Sequence, residues 1–222
     1  MNQTIIVTGA NRGLGLELTR QLSRTGHEVI ATVRKVDEAD HLADLAHEIH
    51  ELEVTRPESV AAFAASIKGR PIDVLINNAA LGGVLEQHDL EKMLDYFNVN
   101  ALGPLRLVRA VLPNLRAGQR KLIVNISSKM GSIEANQSGG SYGYRASKAA
   151  LNMITKNLAL ELEGDGFTSV VIHPGWVKTD MGGPNAQITV EESVASVLGV
   201  IGQLSEKDNG SFLDLDGTML PW

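Results

Sequence analysis

Tyr144 and Lys148 are the residues whose types and spacing best suit proton transfer. They lie four residues apart in the stretch GGSYGYRASKAA, whereas Tyr142 lies six residues before the lysine. Side chains four residues apart on an α-helix share one face, so the spacing couples Tyr144, rather than Tyr142, to the ammonium group. A short Y-x-x-x-K pattern is common, and the alternative is a half-buried aromatic residue beside a solvated lysine.

A glycine-rich stretch near the N-terminus could hold a phosphate group. In TGANRGLG the glycines are Gly9, Gly13 and Gly15, a spacing that differs from the common G-x-G-x-x-G fingerprint. Glycines let the backbone approach a pyrophosphate, and a helix beginning near Gly13 would direct N–H groups and its positive dipole end at the anion. A tight strand-to-helix connection is the alternative. The position after the first predicted strand favours the phosphate site.

Two arginines indicate which dinucleotide would bind. An NAD site usually ends its second strand with Asp or Glu, which binds the ribose 2′-hydroxyl, whereas NADP requires a cation there. This chain has Arg34 at that place, and Arg12 lies inside the glycine-rich stretch. Because guanidinium groups suit phosphate, the sequence predicts NADP(H) as the cofactor. Taken alone, Arg34 could be a solvated loop residue.

Composition and charge argue against several other classes of protein. The length predicts one domain, residues 1–222, and the net charge of -6 argues against a nucleic-acid partner. No apolar run approaches the roughly 18 residues of a membrane span, so we expect no membrane partner. The N-terminus does not resemble a signal peptide, so we expect a cytoplasmic protein. Cysteine is absent, and His41, His47 and His50 indicate a solvated helix face, so no metal site is expected.

Short apolar, β-branched runs alternate with helical stretches along the chain. This alternation predicts a single Rossmann-type, doubly wound α/β domain with a seven-stranded parallel sheet and helices on both faces, because parallel neighbours need crossover connections. Ligands of such sheets bind at the carboxyl ends of the strands. The predicted strands cover residues 4–9, 28–33, 50–54, 72–78, 121–127, 168–175 and 210–217. The predicted helices cover residues 13–26, 36–49, 57–69, 90–100, 102–118, 142–164 and 189–204.

Six motifs in order resemble those of the classical short-chain dehydrogenases/reductases, over essentially the whole chain. They are TGANRGLG, NNAA, the Asn100 of NVNALG, the serine of NISS, YRASK and HPGWVKT. Within that family, the stretch from SSKMGS to YRASK, the short segment after HPGWVKTDMGG and the ending DLDGTMLPW are similar to the C-factor-like carbonyl reductases. The resemblance therefore favours a chemical role for the tyrosine and lysine pair.

The resemblance implies a catalytic set of Asn100, Ser128, Tyr144 and Lys148. The lysine ammonium and an oxidised nicotinamide would lower the pKa of Tyr144, which would then exchange a proton with the carbonyl oxygen. Ser128 would stabilise negative charge on that oxygen, Lys148 would also bind the nicotinamide ribose, and Asn100 would hold a water of a proton relay.

Two other serines compete with Ser128 for its role. Strand alternation sends Ser127 and Ser128 to opposite sides, and the family position favours Ser128, with Ser132 as a second alternative. Ser128 and Tyr144 are 16 residues apart, farther than in many members of the family. The loop KMGSIEANQSGG between them is therefore expected to bulge and to shape the substrate pocket.

The other matching positions have cofactor roles by resemblance. Glu53 replaces a usual Asp near the adenine, and Trp176 could be either pocket wall or packing, whereas Trp222 indicates a docked tail. The predicted cofactor-binding set is Gly9, Asn11, Arg12, Gly13, Leu14, Gly15, Arg34, Glu53, Val54, Asn78, Ala79, Tyr144, Lys148, Pro174, Gly175, Val177 and Thr179.

The resemblance implies NADPH-dependent reduction of a ketone or aldehyde to an alcohol. One alternative is a cofactor-binding signalling or regulatory protein of the same fold, which we would expect to have lost a member of the catalytic set. Another is an NAD-dependent alcohol dehydrogenase. The expected partners are a small carbonyl substrate and further copies of the chain in a homodimer or homotetramer, because the helices starting near Asn100 and Tyr142 often pack between subunits in this family.

Overall fold

A computed structural model describes residues 2–82 and 89–222 of the chain. The strands are β1 (Thr4–Thr8), β2 (Glu28–Val33), β3 (Glu48–Glu51), β4 (Val74–Asn77), β5 (Leu122–Ile126), β6 (Thr168–Ile172) and β7 (Phe212–Leu213). The helices are α1 (Gly13–Arg24), α2 (Pro57–Ser66), α3 (Leu90–Phe97), α4 (Gly103–Ala117), α5 (Tyr142–Leu162) and α6 (Val190–Gln203). All seven strands are parallel, in the order β3-β2-β1-β4-β5-β6-β7, which confirms the predicted fold class.

The sheet is covered on both faces, and its central strands are mostly apolar. Along β1, Ile5 and Val7 join a core that also contains residues of α1 and α6. Ile6 points the other way and joins a second core with residues of α2, α4 and α5. Strands that are buried on both sides read as continuous apolar runs, as this chain's central strands do. The carboxyl ends of the strands are left at one edge of the sheet, between the two helical layers.

The segment between β2 and β3 corrects the sequence prediction. We expected a helix over residues 36–49 and a strand over 50–54, but only two short 3₁₀ turns form, Val36–Glu38 and Asp40–Leu42, and the strand begins at Glu48. The sheet recruits the end of the predicted helix, because Ile49 pairs with Ala31 of β2. Leu42 is buried in the core and ends the second turn. Tertiary packing has therefore overridden local helix propensity.

The histidines of this segment do not form the solvated helix face that we predicted. His50 lies on β3, and its Nε2 is 2.8 Å from a carboxylate oxygen of Glu48. His41 follows a 3₁₀ geometry and its Nε2 lies 2.8 Å from the carbonyl oxygen of Asn11. Over the described ranges no group of three or more His, Cys, Asp or Glu side chains could hold a metal ion, and no helix has both the length and the apolar character to cross a bilayer.

The two helices predicted over residues 90–100 and 102–118 form one uninterrupted helical run. A π-helical turn, Asn98–Leu102, joins α3 directly to α4. Such a turn widens the helix by one residue and is frequent at functional sites. Asn100 lies at its centre and is 1% exposed.

Candidate active site

One cleft opens at the carboxyl ends of β1, β2, β4, β5 and β6, where loops following these strands meet. Its volume is about 1240 Å³, larger than the roughly 300–1,000 Å³ of typical small-ligand pockets. The predicted site residues line this cleft except Gly15 and Asn100. These two pack beneath residues that do line it, so they can act on the cleft only through their neighbours.

The glycine-rich turn has the shape of an anion cradle. Gly9 and Gly13 have φ values of +66° and +53°, in the left-handed region that glycine tolerates. A Cβ on Gly9 would lie 3.0 Å from Ala79 Cα, and one on Gly15 would lie 2.6 Å from Asn78 Nδ2. α1 begins within the turn, and the N–H groups of a first helical turn have no acceptor inside the helix. The turn therefore fits the pyrophosphate of a dinucleotide.

Thr8 and His41 hold this cradle, although the sequence did not single them out as site residues. The Thr8 hydroxyl oxygen accepts hydrogen bonds from the backbone N–H groups of Asn78 and Ala79, both at 2.9 Å. The Asn78 amide returns a bond to the Thr8 carbonyl at 2.9 Å. His41 contacts the turn at Asn11 from the 3₁₀ segment after β2. These contacts join segments far apart in the chain, so no local pattern could have revealed them.

The two predicted phosphate-binding arginines lie on the rim of the cleft. Arg34 follows β2 and is exposed, and among the described side chains no hydrogen bond or ion pair involves its guanidinium. Arg12 donates from Nη1 to Oδ2 of Asp180 at 3.0 Å, across the cleft. Glu53 also lines the cleft, but its carboxylate accepts the backbone N–H and hydroxyl of Thr55 at 3.2 and 2.9 Å.

Tyr144 and Lys148 face the cleft together from the first turns of α5. The Lys148 Nζ atom is 5.7 Å from the centroid of the Tyr144 ring. Tyr142 is 61% exposed and does not line the cleft. Lys148 is 2% exposed, and its ammonium donates to the Ile126 carbonyl at the end of β5, at 2.9 Å. The helix therefore presents one tyrosine and one buried charge to the same space.

Burial sets the protonation of both groups in the protein alone. It raises the pKa of Tyr144 to about 12, while a hydrogen bond with the Ser128 side chain opposes the rise and Tyr96 adds to it. Burial lowers the pKa of Lys148 to about 8. The sequence predicted that the Lys148 ammonium and an oxidised nicotinamide would together lower the tyrosine pKa. With the lysine in place beside the ring, the pKa is raised instead, because the desolvation of the phenolate dominates, and the phenol keeps its proton at neutral pH.

A chain of buried polar groups fixes α5 against the sheet. Asn77 of β4 donates to the Asn125 side-chain oxygen on β5 at 2.8 Å, and Asn125 donates to the Thr155 hydroxyl on α5 at 2.8 Å. All three side chains are at most 4% exposed. Because unpaired polar groups in the interior are costly, this row of hydrogen bonds favours one register of α5 on the sheet.

The three candidate serines point in different directions. Ser127 donates to the Asn152 side-chain oxygen at 2.8 Å, within the interface between β5 and α5. Ser132 donates to the Trp222 carbonyl at 3.2 Å, so it holds the docked end of the described chain. Ser128 remains beside the Tyr144 hydroxyl in the cleft. Of the three serines, Ser128 is the one whose side chain meets Tyr144, and its catalytic role stays a prediction.

The loop between Ser128 and Tyr144 is held in place by Arg145. Its guanidinium donates to the Gly140 carbonyl at 3.1 Å, to the Ser138 hydroxyl at 2.9 Å and to the Met130 carbonyl at 3.5 Å. These contacts hold both ends of the loop against the helical turn that carries Tyr144. Residues of the loop, Met130 among them, line the cleft, as the predicted shaping of the pocket requires.

Asn100 acts as a brace in the described structure. Its side-chain oxygen accepts the Leu81 N–H at 2.8 Å, and its amide donates to the Leu81 carbonyl and to the Ser147 hydroxyl at 2.9 and 3.0 Å. It therefore joins the segment after β4 to α5, one residue before Lys148. Its role in holding a water stays a prediction.

The segment after β6 forms the opposite wall of the cleft. Pro174, Gly175, Val177 and Thr179 all line it. Trp176 is 50% exposed at the same wall, and its indole N–H donates to the Gly182 carbonyl at 2.8 Å. Of the two interpretations of this tryptophan, the structure favours pocket wall.

The chain is similar in sequence to known proteins. A family model described as short chain dehydrogenase matches residues 3–188. The C-signal of Myxococcus xanthus is 46% identical over 164 residues, which cover 72% of this chain and 99% of that protein, in agreement with the predicted resemblance to C-factor-like proteins.

Two solved structures share the fold along the whole chain. The carbonyl reductase Sniffer of D. melanogaster has a TM-score of 0.95 at 35% identity and covers 100% of both chains. An NADPH-bound carbonyl reductase from chicken fatty liver has a TM-score of 0.92 at 38% identity, over 100% of this chain and 99% of that one. The chain belongs to the short-chain dehydrogenase family and is an oxidoreductase with the fold of its carbonyl reductases.

Proposed function

We propose that the protein reduces a ketone or an aldehyde to the alcohol with NADPH as the hydride donor. The observation that carries this proposal is that Ser128, Tyr144 and Lys148 line the same cleft as the glycine-rich turn. A proton donor and a dinucleotide cradle are the two components that carbonyl reduction requires from the protein. The NADPH bound to the chicken carbonyl reductase supports the choice of cofactor.

The chain's own residues account for cofactor binding at both ends. The glycine-rich turn and the first turn of α1 hold the pyrophosphate through backbone N–H groups. Arg12 and Arg34 bind the 2′-phosphate, because guanidinium groups pair with phosphate through two N–H donors. Thr179 and the backbone around Gly175 hold the nicotinamide end. When bound, NADPH supplies the hydride that adds to the carbonyl carbon.

Tyr144 supplies the proton for the same reduction. With a pKa of about 12 its phenol is fully protonated at neutral pH, so the protein is prepared to donate from Oη to the carbonyl oxygen. Ser128 Oγ donates a hydrogen bond to that oxygen while negative charge develops on it. The alcohol then carries the hydride on carbon and the tyrosine proton on oxygen, and a phenolate remains on the protein.

Lys148 stabilises this phenolate until it regains a proton. Its pKa of about 8 leaves the ammonium charged at pH 7, 5.7 Å from the ring centroid. In so buried a position, opposite charges interact more strongly than in water. Asn100, which bonds Ser147 next to Lys148, keeps this part of α5 in place and is the proposed link to the solvent that returns the proton.

The complete catalytic set argues against a protein that only binds the cofactor. An NAD site usually has a carboxylate at the end of the second strand, but here Arg34 follows β2 and the exposed Arg12 lies in the glycine-rich turn. This argues against an NAD-dependent alcohol dehydrogenase. Carbonyl reduction with NADPH is therefore the function that the geometry supports best.

The proposal can be tested by following NADPH oxidation with a panel of ketones and aldehydes. We expect at least one compound to be reduced, with one alcohol formed for each NADPH consumed. Tyr144→Phe should lose about 100- to 10,000-fold in kcat, the usual contribution of a general acid, while still binding NADPH. Tyr142→Phe is the matched control and should keep wild-type turnover, because Tyr142 is exposed and does not line the cleft. Equal turnover of Tyr144→Phe and wild type would refute the proposal.

A further inference from the structure

Three consecutive residues of the segment after β6 lie against the side of the cleft that carries the glycine-rich turn and the end of β4. Thr179 lies where a Cβ on Gly13 would reach it at 3.5 Å, Asp180 forms an ion pair with Arg12, and Met181 occupies the space that a side chain on Gly82 would need. The segment is itself a folded turn, because the Thr179 hydroxyl oxygen accepts the Gly182 N–H at 3.0 Å. We call residues 179–182 the strap. Its central residue, Asp180, forms an ion pair with Arg12.

This ion pair is weakly held. A single N–H of Arg12 meets a single oxygen of Asp180 at 3.0 Å, and the two side chains are 65% and 83% exposed. Exposed pairs of this kind contribute little to stability, because solvent screens the charges and both side chains lose freedom. The pair can therefore separate without disturbing the fold. Arg12 is at the same time one of the two cations proposed for the 2′-phosphate.

We propose that Arg12 exchanges Asp180 for the 2′-phosphate of NADPH, so that Asp180 is an internal competitor which weakens the binding of NADPH but not of NADH. This inference rests on the proposed function. A phosphate group carries nearly two negative charges and accepts two N–H groups of one guanidinium, so it is a stronger partner than one exposed carboxylate. NADH lacks that phosphate and leaves the Arg12–Asp180 pair intact.

The exchange makes Asp180 a residue that sets cofactor specificity, although it does not touch the adenosine end itself. Binding of NADPH removes the ion pair of the strap, whereas binding of NADH retains it. Breaking the Arg12–Asp180 pair therefore makes the binding free energy of NADPH less favourable, whereas the binding free energy of NADH is unaffected. Removing the carboxylate should increase the preference for NADPH.

The test is to measure dissociation constants of NADPH and NADH directly, by calorimetry, for wild type and Asp180→Asn. An exposed pair of this kind corresponds to about a 1.5- to fivefold change in affinity, so we expect NADPH to bind Asp180→Asn more tightly by that factor and NADH to bind it unchanged. Asp165→Asn is the matched control, because it removes an exposed pair with Arg116 at 2.8 Å outside the cleft. It should change neither constant.

The remaining outcomes separate the inference from the function on which it rests. An unchanged or weaker affinity of Asp180→Asn for NADPH would overturn the exchange. Equal tightening of both cofactors would also overturn it, because this would indicate general charge repulsion. A wild-type protein that binds neither nicotinamide cofactor would overturn the proposed function and the exchange together.

Discussion

Replacing Lys148 with methionine should remove a pH dependence of stability that the buried ammonium creates. The lysine is 2% exposed and its pKa is lowered from 10.5 to about 8 by burial. Between these values the folded state has released its proton while the unfolded state still binds one, so the stability of the wild type rises with pH. Below about pH 8 both states are protonated, and the fold carries the full cost of the charge, roughly 3 kcal/mol for a shift of about 2.5 units.

The assay is urea unfolding of both proteins at pH 7 and at about pH 9.5. The higher pH lies about 1.5 units above the pKa of Lys148 in the folded protein, so most folded molecules have released this proton while the unfolded chain still binds it. The stability of the wild type relative to Lys148→Met should therefore rise by about 2 kcal/mol between the two pH values. Tyr144 does not disturb this comparison. Its pKa is raised from 10 to about 12, so its contribution to stability is fully present below pH 10 and is lost only above it.

Lys129→Met is the control for loss of an ammonium group from an exposed position on the same cleft. The prediction is the difference between the two variants, because general effects of alkaline pH act on both. A stability difference between wild type and Lys148→Met that stays constant from pH 7 to 9.5 would refute the reasoning. A difference that moves in favour of the variant would refute it as well.

Two further substitutions test the cofactor cradle. Gly15→Ala should destabilise the protein by about 1–3 kcal/mol and weaken NADPH binding, because the new methyl group overlaps the Gly9 carbonyl and the Asn78 amide. Thermal unfolding measures the stability and calorimetry measures the binding. The control is Gly199→Ala on α6, where a Cβ meets open space, and it should not lose stability. Arg34→Asp should reverse the preference from NADPH to NADH, as measured by kcat/KM for each cofactor, because a carboxylate would repel the 2′-phosphate and bind the ribose hydroxyl. Arg24→Asp carries the same charge change outside the cleft, and an equal loss of NADPH use in both variants would contradict a local role for Arg34.

The parallel sheet could be predicted from the sequence because its determinants are local. β2 was predicted residue for residue, Glu28–Val33, and α1 was predicted to within its last turn. The helix predicted over 36–49 failed because strand pairing with β2 and burial of Leu42 are tertiary effects. The last strand is also shorter than predicted, Phe212–Leu213, since only these two residues pair with β6.

The candidate site was predictable where spacing or motif order carries the information. The four-residue interval placed Tyr144 and Lys148 on one face, and the ordered motifs located the turn residues around the cleft. The contact of Arg12 with Asp180 spans 168 residues of sequence, so no local pattern could indicate it. The direction of the Tyr144 pKa also required the structure, because desolvation depends on everything packed around the ring.

Hydride transfer from NADPH under the control of Tyr144 is tested most directly with an isotopic label. NADPH that carries deuterium at its transferable position is mixed with the carbonyl compound that the wild type reduces best, and the alcohol is analysed for deuterium on the carbinol carbon. Our prediction is labelled alcohol from the wild type and from Tyr142→Phe, and almost none from Tyr144→Phe that has bound the same amount of NADPH. Unlabelled alcohol from the wild type, or labelled alcohol formed at an equal rate by Tyr144→Phe, would contradict it.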